Sequence, residues 1–318
     1  MSTLQIRLFG KFTIEQGTES LKGLDAGKER ELLSFLLLNR NQSHPRESLA
    51  SLLWGETTTE KSKKYLRQAL WHLQSALESR AVTDAQLLKV EHDWVQFNLQ
   101  SDLWLDVAIF EHAFNATQGV QGNQLTKSSA ALLTEAVELY RADLLDGWYQ
   151  DWCLFERERL QNMYLCMLNK LMSYCEINGN YEAGQSYGAI ILRYDRASER
   201  TYRRLMLMQH KAGDRTGALR QYERCVTALN EELGVKPERR TRELYEVIRN
   251  DEMTPVPQHQ GQRNSNQAVG LTEVLASLKR VQIVLGTLQR RVQRDVKAVE
   301  AGIETMRHQS GPDSKSSD

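Results

Sequence analysis

Lys61, Lys63, Lys64 and Arg67 stand within seven residues of one another, and Gln68, Trp71 and Gln74 follow at helical spacing. Ammonium and guanidinium groups neutralise phosphate. Arginine and glutamine also form paired hydrogen bonds with base edges, Arg with guanine O6/N7 and Gln with adenine N6/N7. At 100° per residue, Leu66, Leu70, Leu73 and Leu77 fall on one stripe. Lys61, Lys64, Arg67, Gln68, Trp71, Gln74 and Ser75 fall on the other side. The spacing predicts a helix over residues 61–77, dry on one side and basic on the other. Such a helix can pack on a small domain and lie in a DNA major groove. Taken alone it is equally well explained as a solvated surface helix, so its neighbours decide.

Within that helix the three lysines sit near the N-terminus, where free backbone N–H groups also favour phosphate. They are assigned to backbone contact, which positions without reading sequence. Arg67, Gln68 and Gln74 are the best base readers. Trp71 has two readings, contact with a thymine methyl or sugar and packing near Trp94. Large aromatics are usually mostly buried, which favours packing. Arg46 suits either a phosphate or plain solvation. Lys89 and His92 suit a minor groove or a flanking phosphate.

The elements that must position these residues are short. Residues 4–15 hold two alternating runs around Gly10, which read as a small antiparallel pair. Residues 27–39 and 43–54 read as helices, with Pro45 in the first turn of the second. Residues 87–99 read as a hairpin turning at His92–Asp93. Three helices and a hairpin, with the third helix basic, make a winged helix-turn-helix whose hairpin is the wing. The segment GLDAGKE (23–29) superficially looks like a phosphate-binding loop. It has three residues between its glycines instead of four, and Glu29 after the lysine, so Gly27–Lys28 is expected to open a helix.

Composition sets the outer limits. The chain has 318 residues, 41% hydrophobic, with 41 basic and 41 acidic side chains. At about 100–200 residues per domain that suggests two or three domains. Residues 1–105 are also balanced, 13 basic against 13 acidic, so affinity for nucleic acid must come from local clustering. Residues 61–80 supply it: Lys61, Lys63, Lys64, Arg67 and Arg80 against Glu78 alone. No apolar run approaches the roughly 18 residues of a membrane span. The N-terminus lacks a signal-peptide pattern, so a cytoplasmic protein without membrane contact is expected. Cys153, Cys166, Cys175 and Cys225 show no C-x-x-C pairing and read as buried apolar residues. The histidines are scattered, so no metal or other cofactor is expected. No catalytic triad or carboxylate pair stands out, which argues against an enzyme. Glu156, Arg157, Glu158 and Arg159 alternate in sign and read as a solvated face or a salt-bridged seam.

From about residue 105 the pattern is helical. Gly179-Asn180-Tyr181 and Gly213-Asp214-Arg215 lie 34 residues apart, each followed by a small pair, Ala183-Gly184 and Gly217-Ala218. Ile191 and Leu192 correspond to Cys225 and Val226. That period is the tetratricopeptide signature, though its proline is absent near Asp195. Residues 251–270 form a polar linker with two prolines. Beyond it Leu271, Val274, Leu278, Val281, Leu285 and Leu288 begin a heptad seam that continues to Met306 with one stutter at Leu288–Val292–Val296. The seam is expected to pair with a second copy, the alternative being docking on its own repeats. Light scattering on a chain ending at Asn250 reads this directly, an unchanged oligomeric state excluding the pairing. Residues 309–318 form a disordered tail.

Two stretches carry a family resemblance. LYRADLLDGWYQDWCLFERERL (139–160) resembles the opening of the bacterial transcriptional activation domain. LFG at 8–10, the LLSFLLL helix and VQFNLQSDLWLDVAIFE (95–111) resemble the OmpR-type winged helix found in front of that domain. Together they cover about residues 4–250 and identify the chain as a regulator of the antibiotic-regulator (SARP) type. Ala142 stands where the family usually has Gly, and Leu73-Gln74 where it often has Leu-Arg. The coiled-coil extension is not part of the usual short form, and the large NTPase module of longer members is missing.

The expectation is therefore a mainly α protein. Residues 1–105 form an OmpR-type winged-helix DNA-binding domain with small β elements, and 106–250 an all-α tetratricopeptide-like activation domain. A linker (251–270), a coiled-coil helix (271–308) and the tail follow. The resemblance implies a transcriptional activator that binds promoter DNA, at direct repeats, through the winged helix. It recruits RNA polymerase holoenzyme, or joins a second protomer in a dimer, through the repeats. The alternative is an interaction scaffold whose winged helix serves protein contact, a reading supported by the neutral charge of residues 1–105.

Overall fold

The computed structural model describes residues 4–17, 19–20, 27–78, 87–98 and 103–250. Arg80, the linker, the heptad seam and the tail lie outside the described residues.

The chain opens with strands β1 (Leu4–Arg7), β2 (Thr13–Gln16) and β3 (Glu19–Ser20). β1 and β2 pair antiparallel, Ile6 opposite Ile14, as the alternation around Gly10 predicts. A later strand, β7 (Leu103–Leu105), joins the other side of β1 in parallel and completes the order β3-β2-β1-β7. Helices α1 (Gly27–Leu38), α2 (Arg46–Trp54) and α3 (Thr59–Glu78) follow the first sheet. The helix opening at Gly27 is the one expected in place of a phosphate loop.

Between α1 and α2 the structure departs from expectation. Ser43–Pro45 is not the first turn of a helix but strand β4, and α2 starts after Pro45. β4 pairs with β6 (Trp94–Phe97), which pairs with β5 (Leu88–Val90) to form the wing. Pro45 lies opposite Trp94 at an edge strand, where a missing N–H is tolerated. A partner some fifty residues away thus overrides a local helix-start signal.

The second half is built from α4 (Asp106–Ala116), α5 (Lys127–Leu139), α6 (Asp151–Asn178), α7 (Tyr181–Tyr194), α8 (Glu199–Lys211), α9 (Arg215–Leu233) and α10 (Arg239–Asn250). The 34-residue period has a direct structural meaning. Gly179 and Gly213 both take positive φ, 72° and 85°, in the turns before α7 and α9. Gly184 and Ala218, also 34 apart, are the small residues at helix crossings. A Cβ on Gly184 would stand 2.8 Å from Met208 Sδ, and Ala218 is fully buried. Three cysteines are buried as expected, but Cys166 is exposed. It lies on a solvent-facing stripe of α6, so its environment follows helix phase rather than residue type. No described helix is long and apolar enough to cross a membrane.

The two halves share one hydrophobic core, running from Leu4 through Leu73 to Met208. The 139–160 stretch supplies much of the join. Leu144 bridges Phe9, Leu145 N donates to Leu8 O (2.8 Å), and Gly10 N donates to Asp143 O (2.9 Å). Leu145 is fully buried with φ of 48°, a conformation disfavoured for a branched side chain. Arg157 holds this turn: its guanidinium donates to the carbonyls of Leu144, Leu145 and Trp148 at 2.8–3.0 Å. Arg159 and Arg40 both grip Glu111, joining α6, the end of α1 and α4. Of the alternating run 156–159, both arginines are therefore clamps between elements rather than parts of a solvated face. Phe9 packs on Phe110 and Tyr140, and Trp152 meets Phe35 edge-on while donating to Glu31.

Asp106 sits at the centre of the join. It is 2% exposed, and its carboxylate accepts from the backbone N–H of Leu8, Phe9 and Val107 at 2.7–3.0 Å. Burial pushes the carboxyl above its ordinary range, while the three amides pull it back. One side chain thus satisfies the end of β1 and the first turn of α4 together.

Candidate nucleic-acid interface

α3 divides as its periodicity predicts. Leu66, Leu70, Leu73 and Leu77 are all buried, each contributing about 1.5–3 kcal/mol by leaving water. Ser62 and Ala69 join that buried side, and α1 and α2 pack against it. Lys61, Lys63, Lys64, Arg67, Gln68 and Trp71 are exposed on the opposite side, and Gln74 is half-buried at its edge. Among the described residues no protein element covers this face.

The candidates fall into two groups. Arg46, Lys63, Arg67 and His92 line one cleft of about 960 Å³, together with Asp93 and Trp94. It lies between the start of α2, the first half of α3 and the turn of the wing. Lys61, Lys64, Gln68, Trp71 and Gln74 do not line it; they continue along the outer side of α3.

Partners within the cleft change what individual residues can do. Lys63 Nζ pairs with Glu47 Oε1 on α2, so part of its charge is already neutralised. Arg46 Nη1 donates to Glu91 O (3.1 Å), and its backbone N–H donates to Asp93 O (2.9 Å). Arg46 therefore fastens the wing to α2 instead of projecting freely. His92, at the tip, is almost fully exposed and pairs with Asp93 at 2.7 Å. Lys61, Lys64 and Arg67 have no ion-pair partner among the described residues, and their charge is the most available.

Trp71 corrects an expectation. It is 65% exposed and its nearest ring is its neighbour His72, centroids 5.2 Å apart. It does not pack on Trp94, which is itself 45% exposed on β6. The leucine stripe fixes the rotation of α3 and points position 71 away from the protein, so the general preference of tryptophan for burial loses. His72 turns towards α1 and bonds Glu29 Oε1 (2.8 Å), tying the middle of α3 to the domain. Sequence reasoning missed Glu47 as a modulator of Lys63 and Trp94 as a wall of the cleft. Neither carries a local signal, because both reach the site from other elements.

Residues 105–249 match the family model of the bacterial transcriptional activator domain. The fold is similar to that of a solved structure, Mycobacterium tuberculosis EmbR in complex with a low-affinity phosphopeptide. The TM-score is 0.59 at 16% identity, covering 89% of this chain and 72% of that one. At that identity the likeness is one of fold. No curated protein matches the chain by sequence. Residues 105–249 thus carry a bacterial transcriptional activator domain, joined through one hydrophobic core to the winged helix in front of it.

Proposed function

We propose that the chain binds promoter DNA by laying α3 in the major groove with the wing alongside. The observation that carries this reading is the uncovered outer face of α3. It presents Lys61, Lys64, Arg67, Gln68 and Trp71 in one row while every leucine of the helix points inward. In this reading Lys61 and Lys64 meet phosphate, Arg67 and Gln68 meet base edges, and Gln74 reads at the far end of the helix. Lys63, shared with Glu47, contributes less. His92 meets the flanking backbone, and Arg46 sets the wing's position.

The helical repeats would then contact RNA polymerase, or a second protomer on an adjacent site. A few kcal/mol of protein–protein contact suffice to raise polymerase occupancy at a promoter. A gel shift on DNA upstream of the protein's own gene, repeated at two salt concentrations, tests the reading. A specific complex that weakens with salt supports it. The absence of any complex at low salt would leave the winged helix as a protein-contact module.

Exposed Trp71 gives a sharper check. Trp71→Ala is expected to change folding stability by no more than about 0.5 kcal/mol, as for surface positions, while weakening the DNA complex. Thermal melting and the same gel shift read both quantities. A lowered melting temperature with unchanged DNA affinity would return Trp71 to a structural role.

A further inference from the structure

The repeats carry a second charged surface, far from α3 in sequence and built from different elements. One stripe of α8 holds Arg200, Arg204 and Lys211, which at 100° per residue fall within about 40° of one another. They face a stripe of α6 that includes Cys166, Lys170 and Ile177, with the loop after α4 closing one side. The result is an open groove of about 1350 Å³. Its lining holds four cations (Lys170, Arg200, Arg204, Lys211) and one carboxylate, Glu176.

The cations are not equivalent. Arg204 is held in place by Glu176 (3.1 Å) and Ser173 (2.9 Å), and Lys170 donates to Thr117 O (2.6 Å). Both are anchored parts of the wall. Arg200 and Lys211 are exposed and have no ion pair among the described residues. Eleven residues of helix separate these two, roughly 16 Å at 1.5 Å per residue. That spacing is too wide for one phosphate or carboxylate to satisfy both. An extended peptide covers it with about five residues at 3.3 Å each. Ile177 adds an apolar contact in the groove, being 61% exposed.

We infer that this groove binds an extended acidic peptide segment of a partner protein, about five residues long and carrying one apolar side chain. Helical repeats bind partners along such concave surfaces, and charge complementarity selects the sign. The inference deepens the reading that the repeats are the partner-contacting half of the chain, and does not depend on DNA binding.

The test is selection of a random-peptide display library on the purified full chain, followed by affinity measurement by fluorescence anisotropy on the enriched peptides. Enriched peptides are expected to be acidic. The double variant Arg200→Glu/Lys211→Glu should bind them at least tenfold more weakly. Both side chains are exposed, so the variant should melt with the native protein. Arg200→Lys should keep most of the affinity. Enrichment without acidic bias, no enrichment, or acidic peptides that bind the double variant equally well would each overturn the inference. Displacement of the peptide by millimolar inorganic phosphate would do so as well, by pointing to a small-anion site. The same variant should still shift promoter DNA. Failure of the native protein to shift DNA would count against the α3 reading and leave the groove untouched.

Discussion

Asp106→Ala is expected to lower folding stability by about 2–4 kcal/mol, from two or three buried backbone N–H groups left without an acceptor at roughly 1–3 kcal/mol each, less the relief of no longer burying a charge. The groups at stake are the N–H of Leu8 and Phe9, which directly follow β1, and of Val107 in the first turn of α4. Asp106→Asn should fall between the two, because one amide oxygen still accepts while the NH2 group opposes a backbone donor. Chemical denaturation gives the stability, and amide exchange gives the location. Leu8 and Phe9 should lose protection more than the centre of α6. A stability change under about 0.5 kcal/mol would mean that these amides find other acceptors. Under the proposed function the effect also reaches DNA-linked activity, because the join would carry the position of α3 to the repeats. If α3 is fixed on DNA, the orientation of the repeats follows only as long as β1, α4 and the 143–146 turn hold together.

This join also explains what the 139–160 stretch is for. The LLDG turn and the ERERL run look, as text, like a surface motif rich in charge. In the fold, Leu144 and Leu145 are fully buried and Arg157 caps three carbonyls of the same turn. Arg159 completes a clamp through Glu111 to Arg40. The stretch holds the activator domain to the winged helix, so its residues are tied to one another by geometry. That the buried elements are consistent with one another is a stronger reason for such a pattern than surface chemistry.

How far the sequence could be read depended on whether a feature was local. The two sides of α3, the β1–β2 pair and the 34-residue period are local periodicities, and each was legible. Strand β4, the parallel β1–β7 pairing and the role of Asp106 depend on residues about 50 to 100 positions away, and no local pattern encodes them. Pro45 shows the difference. A proline before a leucine-rich segment is a sound helix-start signal, and α2 does begin directly after it. The extended conformation that proline also permits was claimed by the wing strand instead. Trp71 failed for another reason: a residue-type preference was set against a helix phase, and the phase, fixed by four buried leucines, decided. The candidate site was thus legible as a row of residues on one helix, while the cleft that joins part of that row to α2 and the wing was not.

Arg67→Ala is expected to flatten sequence preference at one base position. A bidentate arginine–guanine pair is worth about 1–3 kcal/mol of discrimination, or roughly 5–150-fold between the preferred and a substituted base. Lys64→Ala should behave differently, weakening every DNA sequence by a similar factor and reducing the magnitude of the salt slope by about 1. The two residues are three apart on the same exposed face, and neither has an ion pair among the described residues. Their difference lies in where they point: Arg67 lines the cleft beside the wing, whereas Lys64 stands outside it. Binding selections on randomised sites for each variant, with titrations at several salt concentrations, separate a reader from a positioner. If Arg67→Ala left both affinity and preference unchanged, α3 would not lie in the groove in this orientation. If it instead behaved as Lys64→Ala does, the cleft would be holding a phosphate, and base reading would pass to Gln68 and Trp71 on the outer row. Glu47 bears on the same choice, because its pairing with Lys63 leaves Arg67 and the wing-bound Arg46 as the cleft cations without a carboxylate partner among the described residues.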